Sequence, residues 1–60
     1  MTPFQKEILD KMEPGLWYTS YELYANTKTM LALLRQNRVR MDREYKPGMH
    51  VHKCNFTRLS

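Results

Sequence analysis

The first apolar stripe of the chain predicts a helix over roughly residues 3–12. Its apolar positions recur at helical spacing and share one face: Phe4, Ile8, Leu9 and Met12. Thr2 precedes the stripe as a candidate N-cap, and Pro3 takes the first helical position, where its missing N–H costs nothing. Pro14-Gly15 follows the stripe, so we expect the helix to end before it.

A short apolar segment and a capping signal follow the first helix. Residues 16–18 are apolar and have the length of a single edge strand. Thr19 and Glu22 lie at the spacing of a capping box, in which each side chain bonds the other's backbone N–H, so a second helix is predicted to begin at Ser20. Asn26 tolerates the left-handed conformation that ends a helix, so we expect a turn there.

A third helix is predicted over residues 28–37, with Thr27 as its N-cap. Its inward positions follow the i, i+3, i+4, i+7 pattern: Met30, Leu33, Leu34 and Asn37. Its outward positions are Lys28, Thr29, Ala32, Arg35 and Gln36. We expect the inward side chains to pack against Leu23 and the stripe of the first helix. The alternative is one continuous helix over residues 20–37.

The last third of the chain predicts a β-hairpin that turns at Pro47-Gly48. We expect these pairs to lie opposite one another on one side of the ribbon: Tyr45–His50, Arg43–His52, Met41–Cys54 and Val39–Phe56. A register shifted by one residue would place Met41 beside Lys53, so the side-chain period favours the first choice. Pro-Gly suits a type II turn, which matches hairpin twist less well than the primed types, so a longer loop or a bulge is the alternative.

Positive charge is concentrated in the second half of the sequence. Residues 1–26 carry two lysines against four carboxylates, whereas residues 27–60 carry eight Lys or Arg against Asp42 and Glu44. Most of these cations belong to the third helix and the hairpin. A basic helix backed by a basic hairpin suits a polyanion, because phosphate neutralisation by Lys and Arg is the main sequence-independent source of nucleic-acid affinity.

Length and composition limit the classes of protein that the chain can represent. Sixty residues allow one domain, residues 1–60, with a small core and little room for a catalytic pocket. We therefore expect no enzyme, no cofactor and no small-molecule substrate. The chain is 42% hydrophobic and 12% aromatic, which indicates folding. The single Cys54 fits a reducing compartment, and no apolar run is long enough for a membrane span, so we expect a cytoplasmic location and no membrane partner.

The order helix, short strand, helix, turn, helix, hairpin resembles a winged helix-turn-helix domain. The residues that carry the likeness are Tyr18 to Leu23, Met30, Leu33, Leu34, Asn37 and Val39. The junction Asn37-Arg38-Val39 resembles the point where the recognition helix gives way to the wing. The stretch from Leu23 to Met30 is several residues shorter than in that family and lacks the usual glycine. The expected fold is thus α+β, with three helices followed by a C-terminal β-hairpin and a short strand at residues 16–18.

The resemblance implies that the third helix enters the major groove of double-stranded DNA while the hairpin holds the backbone. The expected base contacts are Thr27, Lys28, Thr29, Ala32, Arg35 and Gln36. The expected backbone contacts are Thr19, Ser20, Tyr21, Arg38, Arg40, Arg43, Lys46 and Lys53, the first three through the N-terminus of the second helix. The implied function is that of a transcriptional regulator or accessory architectural factor, of a size carried by phages and other mobile elements.

Alternating His50, His52 and Cys54 would share one face of a strand and offer two imidazoles and a thiolate to zinc or copper. A structural zinc site needs a fourth ligand, and no second cysteine is present. We therefore interpret Cys54 as a small buried hydrophobe opposite Met41 and the histidines as surface residues, and we expect no metal.

Four large rings lie close together near the first turn of the second predicted helix: Trp17, Tyr18, Tyr21 and Tyr24. So small a domain cannot bury all of them, so some are expected to form an exposed patch. The patch would suit a second copy of the chain, a protein partner, or stacking on single-stranded bases. The alternative function is accordingly a protein-interaction module that docks through Trp17, Tyr18 and Tyr21.

Overall fold

The computed structural model describes residues 1–59 as an α+β fold with two helices and a three-stranded antiparallel sheet. The elements are α1 (Pro3–Lys11), β1 (Trp17–Tyr18), α2 (Thr27–Arg35), β2 (Val39–Met41), a 3₁₀ turn (Val51–Lys53) and β3 (Phe56–Arg58). The strand order is β1-β3-β2, so β3 lies between the other two. The expectation of three helices followed by a hairpin is therefore wrong. Residues 20–24 form a turn in place of a helix, and β1 joins the two later strands in one sheet.

Helix α1 begins where the sequence predicted, because its N-terminus is doubly capped. The Gln5 N–H donates to Thr2 Oγ1 at 3.2 Å, and the Thr2 N–H donates to Gln5 Oε1 at the same distance. Sequence reasoning identified Thr2 and Pro3 but missed Gln5, which completes the box. The C-terminal part of the helix reaches the core, whereas Phe4 in its first turn is 46% exposed and was wrongly expected inward.

The segment expected to form the second helix completes only one turn. Its predicted capping box is present: the Glu22 N–H donates to Thr19 Oγ1 at 3.2 Å, and the Thr19 N–H donates to Glu22 Oε1 at 2.9 Å. The turn then closes through the Ala25 N–H, which donates to the Ser20 carbonyl oxygen at 3.0 Å. Tyr24 adopts a left-handed φ of 53°, and a residue in that conformation does not continue a right-handed helix.

Helix α2 starts after this turn, and its N-cap is Asn26. The Thr29 N–H donates to Asn26 Oδ1 at 2.8 Å, so Asn26 takes the capping role that was expected of Thr27. Asn26 itself is extended, and the left-handed residue predicted there is Tyr24 instead. The predicted break between the two segments is confirmed, and one continuous helix over residues 20–37 is wrong.

Helix α2 ends in a Schellman motif. Asn37 adopts a φ of 59°, its N–H donates to the Leu34 carbonyl oxygen at 3.1 Å, and the Arg38 N–H donates to the Leu33 carbonyl oxygen at 3.0 Å. Asn37, expected as an inward position of a helix over residues 28–37, is instead exposed and left-handed, because the helix ends at Arg35. The motif directs the chain out of the helix and into β2.

The register between β2 and β3 differs from the predicted one by two residues. Met41 lies opposite Phe56, and Val39 lies opposite Arg58, so residues 42–55 form a long loop that contains Pro47-Gly48. A shift of two preserves which side chains face the core, and Val39, Met41 and Phe56 are all buried as expected.

The register is shifted because two side chains of the loop are buried in the core. Val51 and Cys54 are almost fully buried, and both belong to or flank the 3₁₀ turn. A chain that bends to bury these two side chains cannot also continue the ladder toward Pro47-Gly48. The predicted pairs Tyr45–His50, Arg43–His52, Met41–Cys54 and Val39–Phe56 are consequently wrong.

The core lies between the helices and one face of the sheet. Its buried apolar side chains are Ile8, Leu9, Met12, Leu23, Met30, Leu33, Val39, Met41, Val51, Cys54 and Phe56. Leu34, expected to point inward, is only partly buried against this cluster. The sheet therefore has an inner face on the core and an outer face directed away from both helices.

Candidate nucleic-acid interface

The outward face of α2 presents two cations with a small residue between them. Lys28, Ala32 and Arg35 follow the spacing i, i+4, i+7 and so lie along one stripe of the helix. Lys28 and Arg35 are exposed, and Ala32 is half-buried. No acidic residue occurs between Glu22 and Asp42, so α2 carries no carboxylate that would neutralise the stripe. We call these three residues the α2 stripe.

The other three expected base contacts are not part of the α2 stripe. Thr29 is only 9% exposed, because the buried face of α2 is rotated toward it and away from Leu34, so its side chain cannot reach a groove. Gln36 is exposed, but its Nε2 donates to Gln5 Oε1 at 3.1 Å, which ties it to the start of α1. Thr27 is exposed at the first position of the helix.

The phosphate site expected at Thr19, Ser20 and Tyr21 is not formed by this fold. The site relied on free N–H groups at a helix N-terminus, but the segment is a single turn and the Glu22 carboxylate accepts the Thr19 N–H. A carboxylate at that place opposes a second anion. Ser20 is 2% exposed, Thr19 is half-buried, and the Tyr21 side chain is 69% exposed.

The remaining expected backbone contacts separate into two groups. Arg38 is exposed just before β2, and Arg40 is exposed in its middle. Arg40 alternates with buried neighbours, so it points to the outer face of the sheet. Arg43, Lys46 and Lys53 are exposed in the loop over residues 42–55.

Arg43 is already engaged by a neighbouring carboxylate. Its Nε lies 3.2 Å from Asp42 Oδ1, the one ion pair within residues 1–59. The hydrogen bond from Arg43 holds the pKa of Asp42 below its ordinary value; slight burial opposes the shift, and hydrogen bonds from Asn55 support it. Asp42 in turn raises the pKa of Arg43. The other loop cation near the tip, Lys46, has no such pairing among the described residues.

His50, His52 and Cys54 lie in and around the 3₁₀ turn rather than on a strand. The two imidazole rings meet edge-on with centroids 5.4 Å apart, and His52 also meets Tyr21 at 5.6 Å. Cys54 is buried, as expected, although Phe56 and not Cys54 lies opposite Met41. In the part of the chain that the structure describes, no group of three or more His, Cys, Asp or Glu side chains could hold a metal ion.

The four aromatic residues do not form one patch. Trp17 and Tyr18 are neighbours on β1 and so point to opposite faces of the sheet. The Tyr18 hydroxyl accepts the Glu13 N–H at 2.8 Å, and its ring packs on the core. Tyr21 contacts His52, whereas Tyr24 lies 5.7 Å from Lys11 Nζ.

The surface formed by residues 1–59 contains no pocket. None of the helices described there has the length and apolarity that a membrane span requires. Comparison with known proteins found no matching family model, no matching curated protein and no matching solved structure.

Proposed function

We propose that this chain binds double-stranded DNA, with the α2 stripe in the major groove and loop cations on the phosphate backbone. The observation that carries the proposal is the exposed pair Lys28 and Arg35 on a helix without a carboxylate. Such a helix carries positive charge near both of its ends, and its cations match the acceptors that guanine displays in the groove.

The dimensions of the α2 stripe suit a groove. A helix with its side chains is about 10–12 Å wide, close to the width of the major groove of B-DNA, about 12 Å. Lys28 and Arg35 are about 10 Å apart along the helix axis, which corresponds to roughly three base-pair steps. Ala32 between them is small, so the helix backbone can approach the base edges closely.

The loop supplies the backbone contacts in this proposal. Lys46 is exposed near the loop tip, and Arg43 becomes available to a phosphate only in competition with Asp42. Arg38 and Arg40 belong with the outer face of the sheet, which points away from α2, so we do not place them on the same duplex.

A likeness to winged helix-turn-helix proteins is part of this proposal. The order of elements along the chain is similar to that of the family: helix, strand, turn, helix and two further strands. The single turn over residues 20–24 takes the place of the family's second helix. The role would be that of a transcriptional regulator or accessory architectural factor. Such a role requires access to DNA inside the cell. This agrees with the cytoplasmic location that we expect from the single Cys54.

The test is a salt titration of binding to a fluorescent random-sequence duplex. The double variant Lys46→Ala with Lys53→Ala, two exposed loop cations, should flatten the dependence of log affinity on log salt by nearly 2, at about 0.9 for each lost phosphate contact. The matched control is Lys6→Ala with Lys11→Ala, which removes the same charge from α1 and should leave the slope closer to that of the wild type. Equal slopes for the two double variants, or no duplex binding at low salt, would contradict the proposal.

A selection from random duplexes separates base contacts from backbone contacts. Arg35→Ala should reduce the preference for the selected sequence by about 1–3 kcal/mol at one base pair, because a base-edge contact is lost. Lys46→Ala should weaken the selected and scrambled duplexes alike. If Lys46→Ala instead changes sequence preference, the loop and not α2 reads the bases.

A further inference from the structure

The outer face of the sheet carries a row of three side chains, one from each strand. Trp17 lies opposite Thr57, and Thr57 lies opposite Arg40 on its other side. Paired residues on neighbouring strands point to the same face, so the three side chains stand next to one another. With strands about 4.8 Å apart, the backbones of Trp17 and Arg40 are about 10 Å apart.

Burial shows that this row faces solvent. On β2 the neighbours of Arg40 are buried while Arg40 is exposed, and on β1 the Trp17 side chain is 48% exposed. The Leu59 N–H donates to the Arg38 carbonyl oxygen at 3.0 Å, which extends the ladder by one more pair. Arg38 therefore stands two residues from Arg40 on the same outer face.

The charge of this face is positive and is not neutralised locally. Asp42, two residues after Arg40 along the chain, accepts hydrogen bonds from Arg43 and Asn55. Neither Arg38 nor Arg40 is in an ion pair with another residue in the range 1–59. A tryptophan beside two available arginines is the combination that binds a nucleic-acid strand, with the ring for a base and the guanidinium groups for phosphates.

We propose that this outer face binds an unpaired stretch of nucleic acid, with one base stacked on Trp17 and the adjoining phosphates on Arg38 and Arg40. A duplex does not suit the site, because its base faces are already stacked on one another. Trp17 and Arg40 lie on the face of the sheet that points away from the core, so a strand stacked on Trp17 and a duplex on α2 need not compete. Arg38 follows Arg35 by three residues and is the part of this face nearest to α2. The inference is independent of the proposed function.

Trp17 is the sole tryptophan, so its fluorescence reports directly on the proposed site. Oligothymidylate added to the full chain at low salt should quench this fluorescence, and rising salt should reverse the effect. Arg38→Ala with Arg40→Ala should weaken binding and flatten the salt dependence by roughly 1.4, at about 0.7 for each contact to a single strand. The control pair Lys28→Ala with Arg35→Ala should leave the quenching unchanged.

Binding of a labelled oligothymidylate tests stacking without relying on the tryptophan signal. Trp17→Phe keeps an aromatic face and should retain most of the affinity, whereas Trp17→Ala should lose about five-fold to a hundred-fold, the range for one stacked base. Both variants are checked by circular dichroism. Because the two arginines are exposed, their double variant stays informative even if Trp17→Ala does not fold.

Three outcomes would overturn the inference. One is the absence of quenching at low salt. Another is equal quenching by polyglutamate, which would show attraction to any polyanion without stacking. The third is loss of quenching in the Lys28→Ala and Arg35→Ala pair, which would place the strand on α2. Duplex binding is measured on a separate labelled probe, so its failure would leave this result standing.

Discussion

The guanidinium of Arg58 on β3 donates a hydrogen bond from Nη1 to the carbonyl oxygen of Leu9 at 3.0 Å. Leu9 lies in the last turn of α1, at the negative end of the helix dipole, and its carbonyl oxygen also accepts the Met12 N–H at 3.0 Å. A cation at this place gives that carbonyl oxygen a second hydrogen bond and complements the dipole. The contact joins α1 to the central strand of the sheet, and its two residues are far apart in the sequence.

Replacing Arg58 by Met should lower the free energy of unfolding by about 1–3 kcal/mol, because the apolar stem is kept and only the charged hydrogen bond is lost. Urea denaturation measures the change. Arg38→Met, at an exposed position, is the matched control and should have little effect. Equal stabilities for the two variants would mean that the bond to Leu9 contributes nothing.

Leu33→Ala should cost about 2–5 kcal/mol and is sufficient to unfold so small a domain, because Leu33 is completely buried among α1 and the sheet. Thermal melting followed by circular dichroism gives the result. Lys28→Ala on the opposite side of the same helix controls for helix propensity. A Leu33→Ala melting temperature equal to that of the wild type would show that α2 packs differently.

Asn26→Ala should destabilise the chain by about 0.5–2 kcal/mol through loss of the α2 N-cap. Thr27→Ala tests the position that the sequence favoured, and it should change stability by much less because Asn26 accepts the Thr29 N–H. Chemical denaturation of the two variants side by side decides between them. A larger loss for Thr27→Ala would reverse the assignment.

Tyr24→Gly should be more stable than Tyr24→Ala by about 1 kcal/mol, because glycine adopts a left-handed φ without the steric cost of a Cβ. The Tyr24 side chain is 83% exposed, so little packing is lost in either variant. The comparison of the two variants cancels the contact with Lys11. If alanine proves equal to glycine, Tyr24 does not hold the left-handed conformation in solution.

Asp42→Asn should remove a pH-dependent part of the stability. The pKa of Asp42 is lowered in the folded chain, so its contribution is present above the unfolded value of about 3.9 and is lost as the pH falls through the folded value. Wild type and variant should therefore converge in strongly acidic urea melts. The variant should also release Arg43, so that duplex binding gains salt dependence by up to about 0.9 in slope. Stability curves that stay parallel at every pH would contradict this account.

Local signals in the sequence accounted for the ends of the elements better than for their packing. Capping at Thr2 and the Thr19–Glu22 box are properties of a few adjacent residues, and both are present. The turn before α2 was placed correctly, but its left-handed residue was not. Residue preference favours Asn26, whereas the capping bond to Thr29 requires Asn26 to be extended and leaves Tyr24 to reverse the chain.

Errors in the candidate interface came from long-range packing. The buried side of α2 is centred nearer to Thr29 than to Leu34, and a helical pattern of four apolar positions does not define that rotation within one residue. The register of the sheet depends on the burial of Val51 and Cys54 against distant elements, which alternation along the strands cannot reveal. The exposed α2 stripe was recognisable, because Lys28 and Arg35 stay outward under either rotation.

The hydrogen bond from Asn55 to Asp42 closes the base of the long loop, as does the backbone bond between the same two residues. The loop is joined to the core through Val51 and Cys54, which lie on its β3 side. Residues 43–48 at its tip therefore contribute little to the free energy of folding. Doubling the length of a flexible loop costs only about 0.6 kcal/mol. The tip can therefore be lengthened, shortened or exchanged, in evolution or by engineering, while the rest of the fold is kept.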